Sequence, residues 1–221
     1  VGPHEFIPIL EETGLIVEVG RWVLHEACAQ AAAWRADGHE LTVSVNVSAR
    51  QLEQRDFPAI VERVIHMTRV PPQSVCLEVT ETAVIRRPEV AARALNALRA
   101  LGLRVALDDF GLGYSSLGHL KALPVDIVKV DRSFIAGVCD SKQDQAVVEA
   151  VLAIAKRTGV SVVAEGVETE EQDALLRGLG CPVVQGFLYG RPAQPAELEL
   201  GPTSRNIAGA REAARRIAGA S

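Results

Sequence analysis

Polar side chains follow six apolar segments of the sequence, at the point where each segment ends. Each segment is a short, nearly continuous apolar run, which is typical of a buried strand. The polar residues at or near these ends are Asn46, Glu78, the adjacent pair Asp108 and Asp109, Lys129, Glu165 and Gln185. Because the carboxyl ends of parallel strands lie on one side of an α/β domain, we expect these side chains to share one face.

The charges on this face limit the kinds of reaction that it could catalyse. With Glu81 and Glu168, which follow the second and fifth segments closely, the face carries six carboxylates, and Lys129 is the main nearby cation. Such carboxylates repel one another unless some are protonated or divalent cations lie among them. Oxygen and amide ligands without His or Cys suit Mg²⁺, Mn²⁺ or Ca²⁺. Adjacent carboxylates can serve two ions, and two-metal sites commonly displace groups at phosphorus. The residues therefore favour a metal-dependent phosphate ester hydrolase.

Three polar side chains near these ends have an open role. Lys129 alone could form a Schiff base, but the surrounding acids would hold it protonated, so this alternative ranks lower. Arg50 follows the end of the first segment, where it either contacts a phosphate or is solvated. Asp131 either positions Lys129 or caps the next helix, and we favour positioning.

Helical and strand patterns alternate along the chain. Helices are predicted over residues 4–12, 17–37, 57–68, 88–101, 144–157 and 170–179, and strands over 42–47, 75–79, 104–108, 125–130, 161–165 and 182–185. A loop over residues 109–114 and a short helix from Ser115 separate the third and fourth strands. This alternation predicts parallel strands joined by helical crossovers. In the second helix, helical spacing places Trp22, Leu24, Cys28 and Trp34 inward.

The amino-acid composition indicates the broad class of protein. The 221 residues carry a formal net charge of −5, and 48% are hydrophobic, as in an ordinary globular domain. The acidic balance argues against DNA binding. No apolar run approaches the ~20 residues of a membrane span. Without a signal peptide pattern, a cytoplasmic location is expected. We predict one domain over residues 1–200 and a frayed or disordered tail over 201–221.

The chain resembles the EAL domain family of bacterial cyclic di-GMP phosphodiesterases. The resemblance rests on the segments at residues 6–16 (FIPILEETGLI), 45–48 (VNVS), 77–81 (LEVTE), 108–111 (DDFG), 128–131 (VKVD), 164–168 (AEGVE) and 185–192 (QGFLYGRP). These segments occur in the family's order. Together they are specific, although no one of them is decisive.

The resemblance implies a TIM-type barrel that hydrolyses cyclic di-GMP to linear pGpG with Mg²⁺ or Mn²⁺, and Ca²⁺ is expected to inhibit. It implies metal ligation by Asn46, Glu78, Asp108, Asp109 and Glu165, with Glu165 as general base. Lys129 would orient or activate the attacking water, and Gln185 would line the site near the metal or the substrate. Glu81 would hold the loop over residues 109–116, which couples metal binding to dimerisation, so a homodimer is expected.

The sequence departs from the family pattern in two places. The Glu-Ala-Leu motif, whose Glu is a metal ligand, does not occur, and six strands are found where a closed barrel has eight. We therefore expect an incomplete barrel from a longer protein, with a sensory or diguanylate-cyclase-like domain upstream. In addition, Leu112 replaces the small or hydroxyl residue usual in the loop.

Two alternatives remain open. The chain could be an inactive cyclic di-GMP receptor or interaction domain of the same family. It could also be another metal-dependent barrel enzyme acting on a phosphorylated metabolite, which would hydrolyse simple phosphate esters and ignore cyclic di-GMP.

Overall fold

The computed structural model describes residues 2–111, 123–198 and 200, which form two compact units. The first unit holds residues 2–107 and 123–125, and the second holds residues 108–111, 126–198 and 200. Most of the loop predicted over 109–114, the helix predicted from Ser115, and the tail predicted over 201–221 lie outside the described residues.

Helices and strands alternate as the sequence predicts. The described α-helices are α1 (Pro3–Thr13), α2 (Ile16–Ala36), α3 (Ala49–Leu52), α4 (Phe57–Thr68), α5 (Glu81–Arg86), α6 (Pro88–Ala100), α7 (Arg132–Ala136), α8 (Lys142–Thr158) and α9 (Glu170–Gly178). The described strands are β1 (Val43–Val47), β2 (Val75–Thr80), β3 (Arg104–Phe110), β4 (Ile127–Val130), β5 (Ser161–Glu165) and β6 (Val183–Gln185). The α/β class predicted from the sequence is confirmed.

The six strands are ordered β1-β2-β3-β4-β5-β6 in one sheet. The pairs β1–β2, β4–β5 and β5–β6 are parallel. In the first pair Asn46 lies opposite Glu78, and in the last Glu165 lies opposite Gln185. Sequential order with parallel pairing follows from helical crossovers, which return the chain to the same end of the sheet before each strand.

The core of the first unit lies where α2 contacts β1 and α4. Leu24 and Cys28 of α2 are buried there, as predicted. Proline in the first turn of α4 and of α6 fixes the backbone angle that a helix needs at its start. Full burial of each large apolar side chain stabilises the fold by roughly 1.5–3 kcal/mol.

The core of the second unit lies where α8 contacts β4 and β5. Val148 and Val151 of α8 are buried, as are Val128 of β4 and Val162 of β5. Helix α8 ends at Gly159, whose φ of 72° lies in the left-handed region that glycine enters without a Cβ penalty. These contacts hold β4 and β5 side by side, and the candidate site is built on their ends.

The structure corrects two local predictions. Trp22 was expected inward, but 63% of its surface is exposed, and Trp34 is only half-buried. Strand β3 was expected to end at Asp108, but it continues through Asp109 to the buried Phe110. The bounds of the other predicted helices and strands differ from the described ones by about two residues or fewer at each end, which is ordinary at helix and strand ends. Among the described residues, no helix combines the length and apolarity that a membrane crossing requires.

Candidate active site

Lys129 is the centre of a charged cluster in the second unit. Its Nζ lies 2.7 Å from Glu165 Oε1 and 3.1 Å from Asp108 Oδ1. The lysine is 6% exposed, and it lies in a strand whose residues are all buried. A buried ammonium group is costly unless it is paired, and two carboxylates compensate this one. The three side chains, which sequence reasoning places on one face, therefore meet in the structure.

Three consecutive strands supply this cluster. Asp108 lies near the end of β3, Lys129 near the end of β4, and Glu165 ends β5. Both carboxylates keep part of their surface in solvent, since the side chain of Asp108 is 13% exposed and that of Glu165 is 19% exposed. The cluster is therefore anchored in the sheet and open at the strand ends, where a solvent molecule or a ligand can reach the carboxylates.

Asp109 adjoins the cluster with an unusual backbone. Its φ of 56° lies in the left-handed region, which Asp enters more readily than most residues. Its amide donates a hydrogen bond to Asp108 Oδ1 at 3.1 Å. Burial raises the pKa of Asp109, and the charges of Asp108 and Asp131 raise it further, while Lys129 opposes them. The fold thus holds a carboxylate where its charge is disfavoured, as functional sites often do.

This raised pKa gives Asp109→Asn an expected pH signature. A carboxyl whose folded pKa exceeds its unfolded pKa costs the fold stability as pH rises through the interval between the two values. The variant should therefore match the wild type in strong acid and exceed it at neutral pH. We expect a gain of at most about 1 kcal/mol in the free energy of unfolding, because solvent screens a partly exposed group.

Urea denaturation of both proteins without divalent cations, from acid to neutral pH, measures this difference. Asn tolerates the left-handed backbone, so the comparison isolates the charge. A variant that is less stable than the wild type at neutral pH would show that the ionised Asp109 stabilises the fold.

The segments after β5 and β6 pack backbone against backbone. The Val167 amide donates to the Gln185 carbonyl at 3.0 Å, and the Leu188 amide donates to the Val167 carbonyl at 3.1 Å. A Cβ on Gly186 would overlap the backbone nitrogen and oxygen of Val167, and no side-chain movement could relieve that overlap. Glycine at this position is what lets the segment after Glu165 approach so closely.

Gly186→Ala should therefore lower the free energy of unfolding by about 2–4 kcal/mol, within the range of severe steric and strain defects. Gly190→Ala is the matched control, since a Cβ there meets nothing within 4 Å. Chemical denaturation of the two variants decides the prediction. Equal stability of both would mean that the backbone contact at Val167 does not hold the segment.

The first unit places its own predicted site residues at or just beyond strand ends. Asn46 of β1 is exposed, and it lies opposite the buried Glu78 of β2. Glu81 begins α5 and is 3% exposed. Arg50 lies exposed on α3. The loop that Glu81 was expected to hold falls largely on residues outside the described part of the chain, and the roles of these four residues stay predictions.

Three further predicted residues have defined places in the second unit. Asp131 Oδ1 accepts a hydrogen bond from the Ser133 amide at 2.9 Å and so caps α7. It also contributes to the raised pKa of Asp109, so it lies near the cluster. The exposed Glu168 donates its amide to Gln172 Oε1 at 2.8 Å. Gln185 is exposed at the end of β6.

Sequence reasoning missed a set of capping residues beside the site. Ser48 caps α3, Thr80 caps α5 and Thr169 caps α9, each shortly after or at the end of a strand that carries a predicted site residue. Ser48 and Thr169 each form a capping box with a glutamine three positions later. The pattern of Ser or Thr followed by Gln at that spacing was the available signal.

The donor chemistry of the cluster fits a hard divalent cation. Asp108, Asp109 and Glu165 offer carboxylate oxygens, which Mg²⁺ and Mn²⁺ prefer. In the part of the chain that the structure describes, no group of three or more His, Cys, Asp or Glu side chains is already arranged around one metal position. Lys129 lies within reach of both Asp108 and Glu165, and its ammonium supplies positive charge there.

Fold and site together define an α/β domain of the barrel type, with carboxylates and a lysine at the carboxyl ends of its strands. The chain belongs to the EAL domain family, whose sequence pattern matches residues 1–192. It is 42% identical over 198 residues to the bifunctional diguanylate cyclase/cyclic di-GMP phosphodiesterase MucR of Pseudomonas aeruginosa. That alignment covers 89% of this chain and 29% of MucR. The family resemblance is confirmed.

Solved structures agree with this assignment. PaMucR phosphodiesterase in complex with c-di-GMP is 41% identical, with a TM-score of 0.83 over 87% of this chain and 78% of that one. The calcium/cy-diGMP complex of Klebsiella pneumoniae BlrP1 is 32% identical, with a TM-score of 0.73 over 79% of this chain and 44% of that one. The incomplete barrel predicted from the sequence is thereby confirmed as the fold class.

The chain spans 25–30% of the length of the curated relatives that it matches. Several of these relatives are named as cyclic di-GMP phosphodiesterases. The activity that such names describe belongs to those longer proteins, and for this chain it is the subject of the proposal below.

Proposed function

We propose that this protein hydrolyses cyclic di-GMP to linear pGpG in a reaction that depends on Mg²⁺ or Mn²⁺. The observation that carries the proposal is the contact of Lys129 with both Asp108 and Glu165 at the ends of three strands. Membership of the EAL domain family and the solved c-di-GMP complexes of its relatives support the choice of substrate.

Glu165 is proposed as the general base. Its carboxylate accepts a proton from the attacking water, whose oxygen then forms the new bond to phosphorus. The bond to the leaving ribose oxygen breaks, and that oxygen takes up a proton from solvent to become a hydroxyl. Lys129, whose Nζ lies 2.7 Å from Glu165 Oε1, fixes the direction of that carboxylate. Positioned acid–base groups of this kind contribute roughly 10²–10⁴-fold to a rate.

The carboxylates of Asp108, Asp109, Glu78 and Glu165, together with the Asn46 amide oxygen, are proposed to hold the divalent cations. A bound cation supplies Lewis acidity and charge compensation at the phosphodiester. Gln185 and Arg50 are proposed to contact the substrate, and Glu81, Asp131 and Glu168 to support the loops around it. Because the curated relatives are much longer, we also propose that further signalling domains act on this unit. From the family resemblance we propose that it works as a homodimer.

The proposal is tested by calorimetric titration of cyclic di-GMP into the purified protein with Ca²⁺, followed by chromatographic analysis of products with Mg²⁺ and with Mn²⁺. We expect binding with Ca²⁺ and formation of pGpG only with Mg²⁺ or Mn²⁺. A chelator added to the same reaction should stop turnover.

Two outcomes would overturn the proposal in different directions. Binding without pGpG under either metal would assign the protein as a cyclic di-GMP receptor. Hydrolysis of p-nitrophenyl phosphate that cyclic di-GMP does not inhibit would assign it to phosphorylated metabolites.

A further inference from the structure

Gln172 is a buried amide in the first turn of α9, and it contacts more of the chain than a helix cap requires. It is 8% exposed. Its Oε1 accepts from the Thr169 amide at 3.1 Å, and its own backbone amide donates to Thr169 Oγ1 at 3.2 Å. These two bonds form an ordinary capping box, in which the helix start satisfies its own orphan donors.

Two additional hydrogen bonds reach beyond the cap. Gln172 Oε1 also accepts from the Glu168 amide at 2.8 Å. Gln172 Nε2 donates to the Ile135 carbonyl at 3.2 Å, across 37 positions of sequence. The oxygen of this buried side-chain amide therefore binds the segment after β5, and its nitrogen binds helix α7.

These two anchor points follow the strands that carry the candidate base and its lysine. Glu168 lies in the short segment that begins directly after Glu165, and Ile135 lies in α7, whose cap residue Asp131 directly follows β4. The two segments also pack closely, because a Cβ on Gly166 would lie 2.5 Å from Arg132 Cβ. Gln172 thus joins the backbone beyond β4 to the backbone beyond β5.

We propose that Gln172 is a positioning residue that sets the geometry of the Lys129–Glu165 pair. Lys129 Nζ and Glu165 Oε1 are 2.7 Å apart, and this side chain ties the segments that follow their strands. Its effect on turnover rests on the proposed function, whereas its effect on the geometry of the pair does not.

Three variants separate positioning from simple helix capping. Gln172→Met has a side chain of similar length and removes all hydrogen bonds of the side-chain amide. Gln172→Glu retains the acceptor oxygens and removes the N–H group that reaches Ile135. Thr169→Ala is the matched control, since it removes the hydroxyl of the same capping box and leaves the Gln172 amide in place.

The first measurement is the NMR signal of the Lys129 side chain, labelled at Cε. The chain has four lysines, Lys121, Lys129, Lys142 and Lys156, so the signals can be assigned by substitution. We expect Gln172→Met and Gln172→Glu to shift the Lys129 signal and to leave those of Lys142 and Lys156 in place. Thr169→Ala should leave Lys129 unchanged.

An unchanged Lys129 signal in folded Gln172→Met or Gln172→Glu overturns the proposal, as does an equal shift in Thr169→Ala. If Gln172→Met fails to fold, Gln172→Glu carries the same test. This measurement requires no activity, so it stands even if the protein does not hydrolyse cyclic di-GMP.

The second measurement is steady-state hydrolysis of cyclic di-GMP. We expect Gln172→Met to lower kcat by about 10–100-fold with KM nearly unchanged, because small misplacements of a reacting group cost rates of this order. Thr169→Ala should stay within about threefold of the wild type even though it also weakens the helix cap. An equal loss of kcat in Gln172→Met and Thr169→Ala would mean that Gln172 acts only as a helix cap.

Discussion

Glu165→Gln is expected to lower kcat for cyclic di-GMP hydrolysis by about 10³-fold or more, with the fold and substrate binding retained. A glutamine cannot accept the proton of the attacking water, and loss of a positioned base costs roughly 10²–10⁴-fold. Its carbonyl oxygen can still accept a hydrogen bond from Lys129 Nζ, which now lies 2.7 Å from Glu165 Oε1. The change therefore removes the basicity and one negative charge, and it keeps the shape, an oxygen ligand for a cation and the acceptor for Lys129.

The expected result is a chain that binds cyclic di-GMP with Ca²⁺ in calorimetry but forms no pGpG with Mg²⁺. Glu170→Gln is the matched control, because Glu170 is an exposed glutamate at the start of the adjacent helix α9, and we expect its kcat to be unchanged. Full turnover by Glu165→Gln would remove Glu165 from the role of base. Loss of both binding and turnover would instead mean that the negative charge of Glu165 is needed to hold the cations and the substrate.

The sequence predicts the strands and their polar ends because burial on both faces leaves a continuous apolar run. Strand β5 illustrates this, since Ser161 and Glu165 bound a run of three residues that are all buried in the structure. Parallel pairing then places Asp108, Lys129 and Glu165 at the same edge. The same reasoning cannot say which carboxylates contact the lysine, since that depends on side-chain directions that tertiary packing sets.

Very short helices cannot be predicted from the periodicity of apolar residues. Helix α3 spans four residues and α7 spans five, which is too few to show an apolar stripe. Their caps, Ser48 and Asp131, are the signal that local chemistry offers. The end of β3 could not be predicted for another reason, since Asp108 and Asp109 interrupt the apolar run but not the strand, and Phe110 beyond them is buried.

Trp22 shows where helical spacing misleads. Helix α2 carries apolar residues on more than one face, so spacing alone does not say which face meets the core. The structure buries Leu24 and Cys28 and leaves Trp22 exposed. A long helix with a broad apolar surface thus gives a reliable helix prediction and an unreliable burial prediction for each single residue.

Lys129→Met is expected to lower both activity and stability. Its ammonium lies 3.1 Å from Asp108 and 2.7 Å from Glu165, and the lysine is 6% exposed. Removing one partner of a buried ion pair typically costs about 3–5 kcal/mol. Because both carboxylates keep some contact with solvent, we expect a smaller loss of about 2–3 kcal/mol in the free energy of unfolding without divalent cations.

Urea denaturation in the presence of a chelator measures this loss. The control is Lys156→Met, because Lys156 is an exposed lysine on α8. Its free energy of unfolding should stay within about 0.5 kcal/mol of the wild type. Added Mg²⁺ should restore part of the stability of Lys129→Met, since a cation held by the same carboxylates again compensates their charge.

Hydrolysis of cyclic di-GMP by Lys129→Met should still fall by at least about 10²-fold, because the cation does not orient Glu165 as the ammonium does. If Lys129→Met were as stable as the wild type in chelator, Asp108 and Glu165 would not need the lysine to compensate their negative charge. Ion pairing would then not explain why these side chains meet.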